Sequence, residues 1–165
     1  MKTIYFVRHA KSSWDNPTLR DIDRPLNKRG LRDAPFMAKL IKSKGVRPGL
    51  LVSSPAVRAI TTARFFAEAL GIDKGQIEQD KRVYEAYPED ILEIVQEFSD
   101  DCSVAFLFGH NPTLTTVANM FAEDYIANLP TCSVVQVDAD IDSWQGFREG
   151  KGRISGFFYP KQFFD

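Results

Sequence analysis

The sequence predicts an α/β fold, a three-layer α/β/α sandwich whose mostly parallel central sheet carries an antiparallel edge strand. Two continuous apolar runs, Thr3–Val7 and Ser103–Phe108, have the length and β-branched or aromatic content of strands buried on both faces. Segments of helical spacing follow strands in alternation, the pattern of a parallel sheet with crossover helices. Two strand-like segments close the chain without a helix between them, which predicts antiparallel pairing at one edge.

The elements follow in order. After the first strand comes a polar stretch from Lys11 to Asn27, including Asp21, Asp23, Arg24 and Pro25. At roughly fifteen residues it is long for a connection in a compact domain, and such loops are often functional. Leu31, Ala34, Ala38 and Ile41 recur at helical spacing up to Gly45, with Asn27 as a cap and Pro35 inside the pattern. Leu50-Leu51-Val52 is a short strand. Ser54-Pro55 then reads as a cap followed by the first helical position, with Ile60, Ala63, Ala67 and Leu70 as one stripe and Gly71 as the stop. Residues 72–82 read as a loop. Pro88 opens a helix carrying Ile91, Leu92, Val95 and Phe98. After the strand at 103–108, Asn111-Pro112 repeats the cap-then-proline start, and Leu114, Val117, Ala118 and Phe121 continue it. Ser133–Val137 is a strand, and Gly152–Phe158 pairs with it antiparallel. Phe163-Phe164 either packs or frays.

With 165 residues, 44% hydrophobic and 26% charged, the chain has the composition of one globular domain spanning 1–165. A net charge of −1 argues against a nucleic-acid partner, which selects for a basic footprint. No apolar stretch approaches a membrane span, and the amino terminus has no signal-peptide pattern, so the expected location is cytoplasmic. Two cysteines, Cys102 and Cys132, make no disulfide framework, and His9 and His110 are the only histidines. No metal-ligand spacing occurs, so neither a metal nor another cofactor is expected.

Polar groups of one chemical kind end three of these strands: Arg8-His9, Ser53 with Arg58, and Gly109-His110. In a parallel sheet the carboxyl ends of strands share one edge, where ligands bind. Two guanidinium groups and two imidazoles at that edge suit a dianionic phosphoryl group. A neutral histidine there can attack phosphorus. Each junction taken singly is also explained as a helix start that satisfies its own backbone.

These motifs give the chain its likeness to a family. Arg8-His9-Ala10-Lys11-Ser12, Ser53-Ser54-Pro55-Ala56-Val57-Arg58-Ala59 and Gly109-His110-Asn111-Pro112 resemble the histidine phosphatase (phosphoglycerate-mutase-like) superfamily, and most nearly its small SixA-like phosphohistidine phosphatase branch. The resemblance implies that His9 is a nucleophile that takes the phosphoryl group covalently. It implies that Arg8, Arg58 and His110 hold the phosphoryl oxygens, with Ser12 among the phosphate-binding groups. It places a general acid before the third helix, where Glu85 stands and Glu89 competes. The implied substrate is phosphohistidine on a protein, with a small phosphoester as the alternative; a non-catalytic phosphate-binding module is the rival from another class. Two positions depart from the wider family. Ala10 replaces a usual glycine, and Asp15 replaces an asparagine that helps bind phosphate; an ionised aspartate there would repel the ligand. Trp14 either walls the pocket or packs in the core.

Overall fold

The computed structural model describes residues 1–164. Its strands are β1 (Lys2–Arg8), β2 (Leu50–Ser53), β3 (Glu78–Gln79), β4 (Val104–Gly109), β5 (Val134–Ala139) and β6 (Gly152–Phe158). Its α-helices are α1 (Lys28–Ser43), α2 (Val57–Leu70), α3 (Pro88–Gln96) and α4 (Thr113–Asn119). One six-stranded sheet has the order β3-β2-β4-β1-β5-β6. The pairings β3/β2, β2/β4 and β4/β1 are parallel, while β1/β5 and β5/β6 are antiparallel. The strand that runs against the others is therefore β5, one position in from the edge. The edge strand β6 runs with β1.

The alternation of side chains along β1 and β4 divides the core in two. Ile4, Phe6, Ala105 and Leu107 face α3 and α4, with Trp144 and Phe147 beneath them. Tyr5, Val7, Phe106 and Phe108 face α1 and α2. Both central strands are covered on both sides, which is why their sequences are apolar without alternation.

Several local features differ from the sequence expectation. In α1 the buried stripe is Gly30, Ala34, Met37, Ala38 and Ile41, and Leu31 lies half exposed on the outer side. Asn27 caps this helix, its side chain accepting from the Gly30 N–H at 2.9 Å. Pro35 sits inside the helix. Residues 72–82 are not wholly loop, because β3 adds two residues alongside Val52 and Ser53. The helix after β2 starts at Val57 rather than at Pro55. Ser54 accepts from the Ala56 N–H at 3.1 Å and directs its hydroxyl elsewhere, as described below. Asn111 accepts from the Thr115 N–H and hydroxyl, four residues on, and Pro112 follows a cis peptide bond. Phe163 and Phe164 pack against Phe36, with Arg32 over the Phe164 ring. Among the described residues no helix is long and apolar enough to cross a membrane.

Register is what positions the site. β1 and β4 pair from Thr3↔Val104 to Arg8↔Gly109, so His9 and His110 are the next residues in line on adjacent strands. The His9 N–H donates to the Gly109 carbonyl at 3.1 Å and the Ser54 N–H to the Phe108 carbonyl at 3.0 Å. Three strand ends therefore terminate level with one another.

Candidate active site

A cavity of about 230 Å³ opens at these strand ends. Arg8, His9, Ser12, Arg58 and His110 all line it, together with Lys11, Trp14, Arg24, Asn111 and Thr131. The two imidazole rings lie 5.2 Å apart between centroids. A larger depression of about 560 Å³ beside β2 and α3 has a different character. Its single guanidinium, that of Arg82, is bound to Asp80 and Glu97. No group of three or more His, Cys, Asp or Glu among the described residues is placed to hold a metal ion.

Arg8, Arg58, His110 and His9 are each anchored at one end. Arg8 Nη1 donates to the Leu129 carbonyl at 2.6 Å, and its Nε is buried without a protein partner. Arg58 Nη1 donates to the Asp21 carbonyl at 2.7 Å and Nη2 to Asp21 Oδ2 at 2.9 Å, again leaving Nε buried without a partner. His110 Nε2 lies 2.8 Å from Ser54 Oγ, and its Nδ1 is the third buried nitrogen without a partner. His9 Nδ1 lies 2.7 Å from the Ala10 carbonyl, which can only accept. The Nδ1 proton is thereby fixed, and the lone pair sits on Nε2. The Ala10 N–H donates to Thr62 Oγ1 at 3.1 Å, and that hydroxyl donates to the Arg58 carbonyl at 2.8 Å. The turn carrying His9 is thus tied to the helix carrying Arg58.

Sequence reasoning missed a second layer supplied by the long loop. Besides Arg58, Asp21 accepts from Arg24 Nε at 3.1 Å and from the Tyr84 hydroxyl at 2.7 Å. Arg24 Nη1 donates to Ser12 Oγ at 2.9 Å and to the Ser13 carbonyl at 3.2 Å. Trp14 is 74% exposed, which excludes core packing, and the Arg24 guanidinium lies 3.5 Å from its ring centroid. The only signal for Asp21 and Arg24 in the sequence was the length and polarity of their loop. Tyr84 carried none.

The carboxylates singled out from the sequence stand elsewhere. Glu85 is exposed, has a left-handed backbone with φ 57°, and does not line the cavity. Tyr84 turns inward at this point, its ring 5.7 Å from that of His110, and the next side chain points out. Glu89 and Asp15 are exposed and also lie outside the cavity lining.

Burial chiefly, and then the positive groups around them, push both histidines down, His9 to about 3 and His110 to about 4. The bond to Ala10 opposes this for His9, and the Asp21 charge opposes it for His110. Both rings are neutral near pH 7. The Tyr84 hydroxyl and then Arg58 hold the Asp21 carboxyl at about 2 against partial desolvation, so it is ionised. Burial first and the bond to Asp21 second raise Tyr84 to about 12. Burial lowers Arg8 from its ordinary value.

These shifts set a pH dependence of stability. Between about pH 4 and 6.5 the unfolded chain binds protons at two histidines that the folded chain keeps neutral. Stability therefore falls as pH falls through this window. At about 1.4 kcal/mol per pH unit for each group, the protein is expected to lose roughly 3–4 kcal/mol between pH 7 and pH 5. Urea denaturation in phosphate-free buffer checks this. A flat stability over that range would contradict the buried, neutral state of the two rings.

The geometry now meets its relatives. Residues 4–102 match the model of the histidine phosphatase superfamily (branch 1), a segment that contains Arg8, His9 and Arg58 and stops short of His110. An uncharacterised chloroplastic protein of Arabidopsis thaliana is 32% identical over 152 residues, covering 87% of this chain and 69% of that one. The crystal structure of a candidate phosphohistidine phosphatase SixA from Agrobacterium tumefaciens superposes with a TM-score of 0.80 at 30% identity, covering 96% of this chain and 98% of its own. A protein histidine phosphatase SixA solved with tungstate shares the fold with a TM-score of 0.82 at 17% identity, over 97% and 98% of the two chains. An Arg-His pair ending the first strand, facing a second arginine and histidine from neighbouring strand ends, is thus held on a scaffold common to these proteins, and the chain belongs to the histidine phosphatase superfamily, in its SixA-like branch.

Proposed function

We propose that this protein removes the phosphoryl group from phosphohistidine on a partner protein, through a phosphoryl group carried transiently on His9. The observation that carries the reading is the set of three buried nitrogens without protein partners, Arg8 Nε, Arg58 Nε and His110 Nδ1, on residues that line one cavity with His9. Leaving such donors unsatisfied costs about 1–3 kcal/mol each, and a phosphoryl group offers three oxygens to take them. For His110 this requires the proton on Nδ1, with the Ser54 hydroxyl donating to Nε2.

In this reading Nε2 of His9 forms a bond to phosphorus as the bond to the leaving nitrogen breaks, and that electron pair goes to the leaving imidazole. Water then attacks the phosphoryl-His9, the P–N electron pair returns to Nε2, and a water proton passes to phosphate. The neutral state of His9 keeps the lone pair available. The guanidinium groups stabilise the charge that develops on the transferring oxygens. Ser12 acts by fixing Arg24 at the cavity wall. Cys102 and Cys132, both free thiols, are consistent with a reducing compartment such as the cytoplasm.

The same geometry bears on the substrate class. An alkoxide leaving group needs a proton, but no carboxyl group lines the cavity, and Asp21 beside it is ionised. An imidazole, with a conjugate-acid pKa near ~6.5, leaves without that help. Since a positioned general acid contributes about 10²–10⁴-fold, kcat/KM is expected to be at least ~10²-fold higher on a phosphohistidine-bearing protein than on sugar phosphates. Phosphate release from both substrates at equal enzyme concentration measures this. The reverse preference would make the protein a small-molecule phosphomonoesterase and return Glu85 to consideration as its acid. Binding of phosphate without turnover of either would make it a binding module.

A further inference from the structure

We infer that the depression formed by residues 14–24 beside the catalytic cavity is the leaving-group subsite, and that it takes a planar, protonated nitrogen heterocycle, the imidazole ring of the phosphorylated histidine. The inference rests on the reading of His9 above and assigns substrate selection to a different part of the chain.

The depression has a volume of about 280 Å³ and is lined by Trp14, Asn16, Pro17, Leu19, Asp21 and Arg24. Trp14 and Arg24 also line the catalytic cavity, so the two spaces share a wall. A substrate whose phosphoryl group lies against His9 therefore has a second space directly adjoining for the group it leaves behind.

The shared wall is fixed in place. Arg24 is only 8% exposed and is held by Ser12, the Ser13 carbonyl and Asp21, so the guanidinium under the indole cannot swing away freely. Trp14 nevertheless keeps 74% of its surface exposed. Such an indole, buttressed on one side and open elsewhere, is a platform for a flat or cationic ring. Pro17 and Leu19 add apolar surface beside it.

Asp21 supplies the complementary charge. An ionised carboxylate offers about four acceptor positions, and Arg24 Nε, Arg58 Nη2 and the Tyr84 hydroxyl take three. Its side chain is 50% exposed and lines the depression, and Oδ1 accepts only from Arg24, so one position remains for a donor bound there. In phosphohistidine one ring nitrogen bears phosphorus and the other can be protonated. When the P–N bond breaks from that cation, its electron pair returns to the ring and neutral imidazole departs, with no further proton required. A carboxylate facing the protonated nitrogen favours the reactive form. The phosphate ester of an aliphatic alcohol has neither the ring for Trp14 nor the charge for Asp21.

The test compares two substrates that both have a P–N bond, phosphohistidine and phosphoramidate, the second leaving as ammonia without a ring. The measured quantity is the ratio of their kcat/KM values, in which effects on phosphoryl binding through Arg58 largely cancel. Trp14→Ala is expected to lower the ratio about tenfold, Trp14→Phe to retain most of it, and Asp21→Asn to lower it as well. Labelling of His9 by phosphoramidate is followed in parallel. A ratio within twofold of wild type in Trp14→Ala, with His9 labelled, overturns the subsite while leaving the nucleophile in place. Absence of any label on His9 in the wild-type protein overturns the reading beneath it, and the subsite falls with it.

Discussion

His9→Ala is expected to lower kcat on phosphohistidine protein by at least ~10⁴-fold and to abolish the acid-labile, alkali-stable phosphoryl label on the enzyme. The size follows from the role: without Nε2 no other uncharged nucleophile is placed against the three donors of the cavity. Ser12 is near, but its oxygen already accepts from Arg24. His110 has Nε2 against Ser54 Oγ and Nδ1 buried, and this account requires Nδ1 to be protonated. The substitution should fold, because it gives up one hydrogen bond within the turn, to the adjacent Ala10 carbonyl, worth about 0.5–1.5 kcal/mol, and removes a proton-linked penalty at low pH. Phosphate release by rapid quench, with circular dichroism as the folding control, is the measurement. Turnover within tenfold of wild type would remove His9 from the chemistry.

Gly30→Ala is expected to destabilise the fold by about 3 kcal/mol and to lower Tm by roughly 6–12 °C. On helix propensity alone the change would stabilise α1 by about 1 kcal/mol. Packing reverses the sign. A methyl at residue 30 would overlap the carbonyl oxygen of Lys11 and lie 3.1 Å from the Lys11 carbonyl carbon and nitrogen, all of them backbone atoms. The same carbonyl accepts from the Asn27 N–H at 3.0 Å, just before the capping side chain. Relief of the overlap therefore pushes α1 away from the segment that carries Ser12, the partner of Arg24, so activity should fall along with stability. Calorimetry of the purified variant tests this. An unchanged or higher Tm would contradict the close approach of α1 to that loop.

The sequence carried the site to the extent that it was written at strand ends. Arg8-His9 and Gly109-His110 follow long apolar runs, and parallel register placed them side by side because β1 and β4 pair without offset up to Arg8↔Gly109. The buried faces of α1, α3 and α4 were legible from spacing in part: buried Met37 and Ile94 were passed over, Phe98 and Phe121 fall beyond the ends of their helices, and Leu31 is half exposed. It lies at the edge of its stripe, where Gly30 rather than Leu31 approaches the sheet-side loop. The local start signal at Ser54-Pro55 was overridden by tertiary structure, because Ser54 spends its hydroxyl on His110. The position of β5 inside the sheet could not be read, since antiparallel pairing fixes direction and not order. Asp21, Arg24 and Tyr84 were beyond reach for a related reason. Asp21 bonds to Arg58 and Tyr84 across 37 and 63 residues of chain, and Arg24 bonds within its own loop, a segment with no periodicity to read. Glu85 shows the converse: proximity in sequence placed it near the site, and one left-handed residue turned it outward.

A crystal structure of the protein with vanadate or tungstate probes the whole account at once. It should place the oxyanion with its oxygens within hydrogen-bonding distance of Arg8 Nε, Arg58 Nε and His110 Nδ1, and its central atom in line with Nε2 of His9. An oxyanion bound elsewhere, or one bound here with those three nitrogens still unpaired and the His9 ring turned aside, would contradict it.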